Sequence, residues 1–146
     1  MNFLSSLNIS GSGLTAQKLR MDVISQNIAN AGVTRTENGT PYRRKMVVLS
    51  SINNGSGSFR NILDQTAAVK AGGVQVRSIV EDRSALIPVY DPNHPDADEE
   101  GNVMLPNVNT AQEMIDMMSA SRAYEANVTT FNATKAMILK ALEIGR

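Results

Sequence analysis

The sequence predicts a mainly α protein with a small β-rich middle, an α+β chain. Long N- and C-terminal helices pair as a coiled coil, with short strands and loops between them. Three observations predict this. All five prolines (41, 88, 92, 95 and 106) lie between positions 32 and 106, as do seven of the ten glycines. The first 40 and last 40 residues contain no proline, the residue that removes an N–H donor and clashes with the preceding helical turn. Apolar residues at both ends recur at helical spacing, every seven residues or in steps of three and four. The chain thus divides into an N-terminal helix (1–32), a β-rich and looped middle (33–106) and a C-terminal helix (107–146).

The N-terminal helix rests on Leu7, Leu14, Met21 and Ile28, with Ile24 and Ala31 at the alternate positions of the later turns. Gly11 and Gly13 interrupt it, at about 1 kcal/mol each in a helix interior. A break, kink or late-forming turn is expected there, with Ser12 as a secondary cap. Gly32 is expected to end the helix.

The middle reads as turns and short strands. Met46-Val47-Val48-Leu49 is a β-rich run within 42–50. Val74, Val76, Ser78 and Val80 alternate with Gln75, Arg77 and Ile79. Residues 86–90 form a third candidate, demoted to an edge by Pro88. Asn53-Asn54-Gly55-Ser56-Gly57-Ser58 has the composition of a loop, and 91–100 is acidic and broken by prolines.

The C-terminal helix carries the clearest pattern. Met114, Met117, Ser121, Tyr124, Val128, Phe131, Lys135, Ile138 and Leu142 alternate in steps of three and four, and seven of the nine are apolar or aromatic. Asn109 or Thr110 is placed to cap it, with Gln112 or Glu113 to close a capping box. Glu113 and Asp116 lie early, and Lys135, Lys140 and Arg146 late, as the helix dipole favours. Gly145 is the expected stop. A helix over 110–144 would be roughly 50 Å long.

Composition excludes much chemistry. The 146 residues contain no Cys, no Trp and one His, and 14 Lys+Arg balance 14 Asp+Glu. Disulfides, thiolate metal sites and thiol nucleophiles are impossible. Zero net charge and few aromatics argue against a nucleic-acid partner. No stretch approaches the roughly 20 apolar residues of a membrane span, so no membrane insertion is expected. The first eight residues lack the basic and apolar regions of a cleaved signal peptide.

The candidate reactive groups have blander readings. The acidic 91–100 loop fails the spacing of a calcium loop, because Pro95 and Asp96 fall where ligand and glycine are needed. It reads as a solvated turn. His94 has only loop neighbours to orient it. The Glu113/Asp116 pair is accounted for by helix-end electrostatics. Arg43-Arg44-Lys45 reads as a solubilising strand end. Met114, Met117 and Met118 fit either an ordinary core stripe or an adaptable binding surface. No catalytic residue, metal site or cofactor is assigned. A long helix with one apolar stripe, facing a partner only half as apolar, does not bury enough to offset its ordering. Both ends therefore call for assembly with other subunits.

Ordered motifs along the chain carry a resemblance. Ser12-Gly13-Leu14-Thr15-Ala16-Gln17 followed by Asn27-Ile28-Ala29-Asn30 resembles the N-terminal signature of bacterial flagellar rod and hook proteins. Met118-Ser119-Ala120-Ser121-Arg122-Ala123-Tyr124-Glu125-Ala126-Asn127 is similar to their C-terminal signature. Between them, Tyr42-Arg43 with Lys45, Gly72-Gly73-Val74 with Val76, and Tyr90-Asp91-Pro92 leading to Pro106-Asn107-Val108 resemble the proximal rod proteins in particular. One departure is Asn102, where the family commonly has an aromatic residue.

The resemblance implies a structural subunit of the flagellar basal body, not an enzyme. It implies export through the flagellar type III apparatus without a cleaved signal peptide. Helical assembly would follow, with copies of itself and other rod proteins, into the drive shaft that crosses the periplasm or cell-wall space. The terminal helices would pair as a coiled coil around the export channel. Another rod or axial subunit, or a needle-type subunit of a related export system, is the alternative. The needle type should lack the 27–30 and 119–127 signatures. Zero Cys suits passage through a channel unfolded and residence in an oxidising space.

Overall fold

The computed structural model of the chain describes residues 3–52 and 72–144. The element order is α1 (Phe3–Ala29), β1 (Lys45–Ser51), β2 (Val74–Glu81), β3 (Ile87–Tyr90), β4 (Asn102–Leu105) and α2 (Thr110–Ile144). The expected loop at 53–58 and the expected stop at Gly145 lie outside the described residues.

The two helices lie side by side and run in opposite directions. Asn27 near the end of α1 bonds Glu113 near the start of α2, while Gly13 abuts Asn127 further along. Among the described elements, α2 packs on α1 and on no strand. Asn109 caps α2, its Oδ1 accepting from the amides of Ala111 and Gln112 at 3.1 and 3.2 Å, as the cap preference requires.

α1 is helical through Gly11 and Gly13, against the expected break. The flanking hydroxyls bond within the helix, Ser12 to the Ile9 carbonyl and Thr15 to the Gly11 carbonyl. At Gly13 the missing side chain is also where α2 comes closest. The helix ends at Ala29, and 30–32 are turn. From there 33–42 fold back on themselves, with the Tyr42 amide donating to the Val33 carbonyl at 3.2 Å.

The middle forms two antiparallel two-stranded sheets, β1 with β2 and β3 with β4. In the first, Val48 faces Ser78 but Leu49 faces Val76, so the register shifts by one residue and leaves a bulge. In the second, Ile87 faces Leu105 and Tyr90 faces Asn102. Strand β4 has no counterpart among the expected strands. Its four residues stand between the turn at Gly101, where φ is +80°, and Pro106.

The buried core is small and lies where the parts meet. Ala16, Val23, Ile24 and Asn27 come from α1, Glu113, Ala120 and Thr134 from α2, and Tyr42, Val103, Pro106 and Val108 from the middle. No described helix is long and apolar enough to cross a membrane.

Candidate functional site

The best-built feature is a polar joint where α1, the residues entering β1, and the start of α2 converge. Asn27 sits at its centre, 1% exposed. Its Oδ1 accepts from the Tyr42 hydroxyl and from the Lys45 amide, both at 2.9 Å. Its Nδ2 donates to the Lys45 carbonyl at 2.8 Å and to Glu113 Oε2 at 2.9 Å. An amide side chain has two donor hydrogens and two acceptor lone pairs, and here all four are used.

Glu113 is also 1% exposed. Its second oxygen, Oε1, accepts from Arg44 Nε at 2.6 Å, a charge-assisted bond of the strong kind. The same guanidinium reaches Asp116 Oδ2 at 3.3 Å. Arg44 is held in turn by its backbone, since its amide donates to Asn107 Oδ1 at 2.9 Å and its carbonyl accepts from the Asp82 amide at 2.8 Å. Asn107 Nδ2 completes the circuit to the Asp82 carbonyl and the Ser84 hydroxyl.

Electrostatics follow from this packing. Burial raises the Tyr42 phenol above its ordinary value, and the charges of Glu113 and Glu81 push it the same way. The Ser84 amide and hydroxyl bonds hold Asp82 below the usual carboxylate value, helped by Arg44 and Arg43.

Two sequence expectations are corrected here. Glu113 and Asp116 are not merely helix-end charges, because both are engaged by Arg44. Arg44 is not a solubilising strand end: it is the cation that neutralises a buried carboxylate 69 residues away. Nothing periodic marks a pair of that separation.

A second junction lies further along α1. Ser12 Oγ accepts from the Val74 amide at 3.0 Å, tying α1 to the first residue of β2. A Cβ on Gly73 would come within 2.8 Å of that hydroxyl, which is why glycine suits the position.

The predicted seam residues distribute unevenly. Ile24 is buried. Leu7, Leu14, Met21 and Ile28 are half-buried, on a row roughly 150° around α1 from the line through Ala16, Val23 and Asn27. On α2, Met117, Tyr124, Val128, Phe131 and Ile138 are half-buried. Met114 and Leu142 are exposed and lie outside the seam formed within the chain, a correction to the expected stripe. The positions alternating with Met117, Tyr124, Phe131 and Ile138 are Glu113, Ala120, Asn127 and Thr134. They are small or polar, which is why an apolar pattern missed them.

The motif residues divide similarly. Ser12, Gly13, Asn27, Asn107 and Asn127 make the contacts already described, and Pro106 is fully buried. Asn30 donates from Nδ2 to the Gln26 carbonyl, closing the end of α1. Leu14, Ile28, Ser121 and Tyr124 are half-buried, while Ala29, Arg122 and Ala126 are exposed. Asn102, at the position of the departure, exchanges two bonds with Asp98.

In the acidic loop, His94 Nδ1 accepts from the Asp96 amide at 3.1 Å. The Asp96 carboxylate is taken by the Thr34 hydroxyl and Arg35. The loop is thereby tied to the 33–42 turn.

Comparison with known proteins agrees with the motifs. Residues 7–35 match the model for flagella basal body rod proteins, and 99–144 match that for the flagellar basal body rod FlgEFG protein C-terminal region. The chain is 50% identical to the flagellar basal-body rod protein FlgC of Bacillus subtilis, covering 100% of both. It is 48% identical to that of Borreliella burgdorferi, over 99% of this chain and 98% of the other. It is 38% identical to that of Salmonella typhimurium, again covering all of both. With its motifs and its full-length similarity in agreement, the chain belongs to the FlgC family of flagellar basal-body rod proteins.

Proposed function

We propose that the chain is a structural subunit of the proximal rod of the flagellar basal body. It assembles helically with copies of itself and with other rod proteins into the shaft that transmits torque around the export channel. The observation that carries this reading is the match of the whole chain, end to end, to FlgC proteins of distant bacteria. The polar joint is a brace and not a reaction centre, since every polar atom of Asn27 is already bonded. The protein is not an enzyme and takes no cofactor.

The geometry supports the reading in a second way. Met114, Ile115 and Met118 stand exposed on the side of α2 away from α1, and Met137, Leu139 and Leu142 stand exposed near its end. Apolar side chains grouped like this on a long helix suit a subunit whose neighbours cover them. The terminal helices extend their pairing as a coiled coil in the assembled rod, and become fully ordered there. The chain reaches that site through the flagellar type III apparatus, unfolded and without cleavage of a signal peptide.

The test is genetic. Deleting the gene from its own bacterium should abolish motility and remove the rod from purified basal bodies viewed by electron microscopy. Re-expression should restore both. Basal bodies with a full-length rod in the deletion strain would overturn the assignment.

A further inference from the structure

We propose that Asn27 and Glu113 form a conditional lock, so that α1 and α2 pair only when residues 42–45 have docked across them. Both side chains are buried where the helices meet. Apart from the bond they make to each other, every partner shown for them comes from that short segment. The Tyr42 hydroxyl and Lys45 amide serve Asn27 Oδ1, the Lys45 carbonyl serves Nδ2, and Arg44 Nε serves Glu113 Oε1.

Pairing without the segment would bury a carboxylate with one neutral donor for company. Taking away one member of a buried ion pair is far more damaging than replacing both by uncharged groups. The pair therefore penalises premature helix contact instead of adding attraction. A buried polar residue in a helix seam serves the same end elsewhere, fixing one register at some cost in stability. Arg44 is not delivered alone. Its backbone is clipped to Asn107 and to the Asp82 amide, so the cation arrives with the chain that links β2 to β3. Helix pairing is thus made to report that the middle of the chain has folded.

The chain contains no cysteine, so an engineered pair gives an unambiguous reporter. Gly13→Cys with Asn127→Cys places one thiol on each helix, and the shorter residue at 127 relieves the 3.0 Å approach to a Cβ at 13. The rate of disulfide formation in the full-length monomer under mild oxidation then reads helix pairing. In this background Arg44→Met should slow the reaction by about tenfold or more. Adding Glu113→Gln should return the rate to within about threefold of the parent, because an amide needs no cation and still accepts from Asn27. A role for Arg44 in packing alone would not be rescued in this way.

An unchanged rate with Arg44→Met, or a double variant as slow as the single, would overturn the proposal. Should Arg44→Met fail to fold at all, recovery of helical circular dichroism in the double variant supports the lock, and no recovery rejects it. The readout is independent of rod assembly.

Discussion

A Cβ on Gly13 would lie 3.0 Å from Asn127 Nδ2, whereas one on Gly11, two residues earlier in the same helix, would meet nothing within 4 Å. The two glycines look alike in the sequence, and both cost helix propensity. Only Gly13 returns something for that cost, by letting the side chain of Asn127 reach the backbone of α1.

Substitutions at the two positions should therefore move stability in opposite directions. Gly11→Ala should stabilise the monomer by about 0.5–1 kcal/mol, the ordinary gain from replacing an interior helical glycine. Gly13→Val should destabilise it by about 1–3 kcal/mol, through overpacking against Asn127. Urea unfolding followed by circular dichroism checks both, and a stabilised Gly13→Val would contradict the close approach.

The two asparagines near the end of α1 should separate just as clearly. Asn27→Ala leaves the Tyr42 hydroxyl and the Lys45 amide without their acceptor in a buried place. It should cost about 2–4 kcal/mol, since more than one group is stranded. Asn30→Ala loses a single exposed bond to the Gln26 carbonyl and should cost less than about 1 kcal/mol. Equal losses in chemical denaturation would argue against the joint as the centre of the fold.

These contrasts show what an apolar pattern conveys and what it omits. The start of α2 was legible because Asn109 is a strong cap, and its uninterrupted run because no proline lies in 107–146. The helix seam was legible in only one of its two rows. Met117, Tyr124, Phe131 and Ile138 announce themselves, but Glu113, Ala120, Asn127 and Thr134 do not. Small and polar side chains let two backbones come close, and close approach leaves no hydrophobic trace. Strand β4 was hidden for a different reason, since four residues between a glycine turn and a proline are too few to show a period. The Arg44–Glu113 pair was invisible because complementary charge at long separation has no local signature.

The junction of α1 with β2 offers a test of non-additivity. Gly73→Ala would place a methyl 2.8 Å from Ser12 Oγ and 3.1 Å from Ile52 Cδ1. It should destabilise by about 1–3 kcal/mol. In a Ser12→Ala background the nearest Ser12 atom left is Cβ, at 3.5 Å, an ordinary contact. The second substitution should then cost about 0.5 kcal/mol less or better, as expected for residues in direct contact. A double-mutant cycle measured by thermal unfolding would detect this, and strict additivity would refute the contact.

Tyr42 predicts an alkaline limit. Its phenol is raised above the ordinary 10.0 by burial and by the nearby carboxylates. A group whose folded pKa is raised contributes stability that is fully present below the unfolded value and is lost as pH rises through the folded one. Stability should therefore fall above about pH 10. The phenolate also loses the proton it donates to Asn27 Oδ1. Tyr42→Phe, although less stable near neutrality, should show a flatter decline over the same range. Difference titration of phenolate absorbance between the two proteins should place this ionisation above that of free tyrosine. An identical alkaline decline in both would assign the loss to other groups.

Two charge insertions on α2 should separate folding from assembly. Phe131 is half-buried on the helix paired with α1, so Phe131→Asp must place a carboxylate against that face, at about 2–4 kcal/mol. Met118 is 54% exposed and lies on the side away from Ala120, which is fully covered. Met118→Asp should therefore leave monomer stability within about 0.5 kcal/mol of the parent. If neighbouring subunits cover that face in the rod, the same change should still prevent assembly, since it buries an unpaired charge there. Both strains should then be non-motile, but only Phe131→Asp should yield an unstable purified chain. A motile Met118→Asp strain with normal basal bodies would exclude the outer face of α2 from the subunit interface, and a fully stable Phe131→Asp monomer would exclude Phe131 from the pairing with α1.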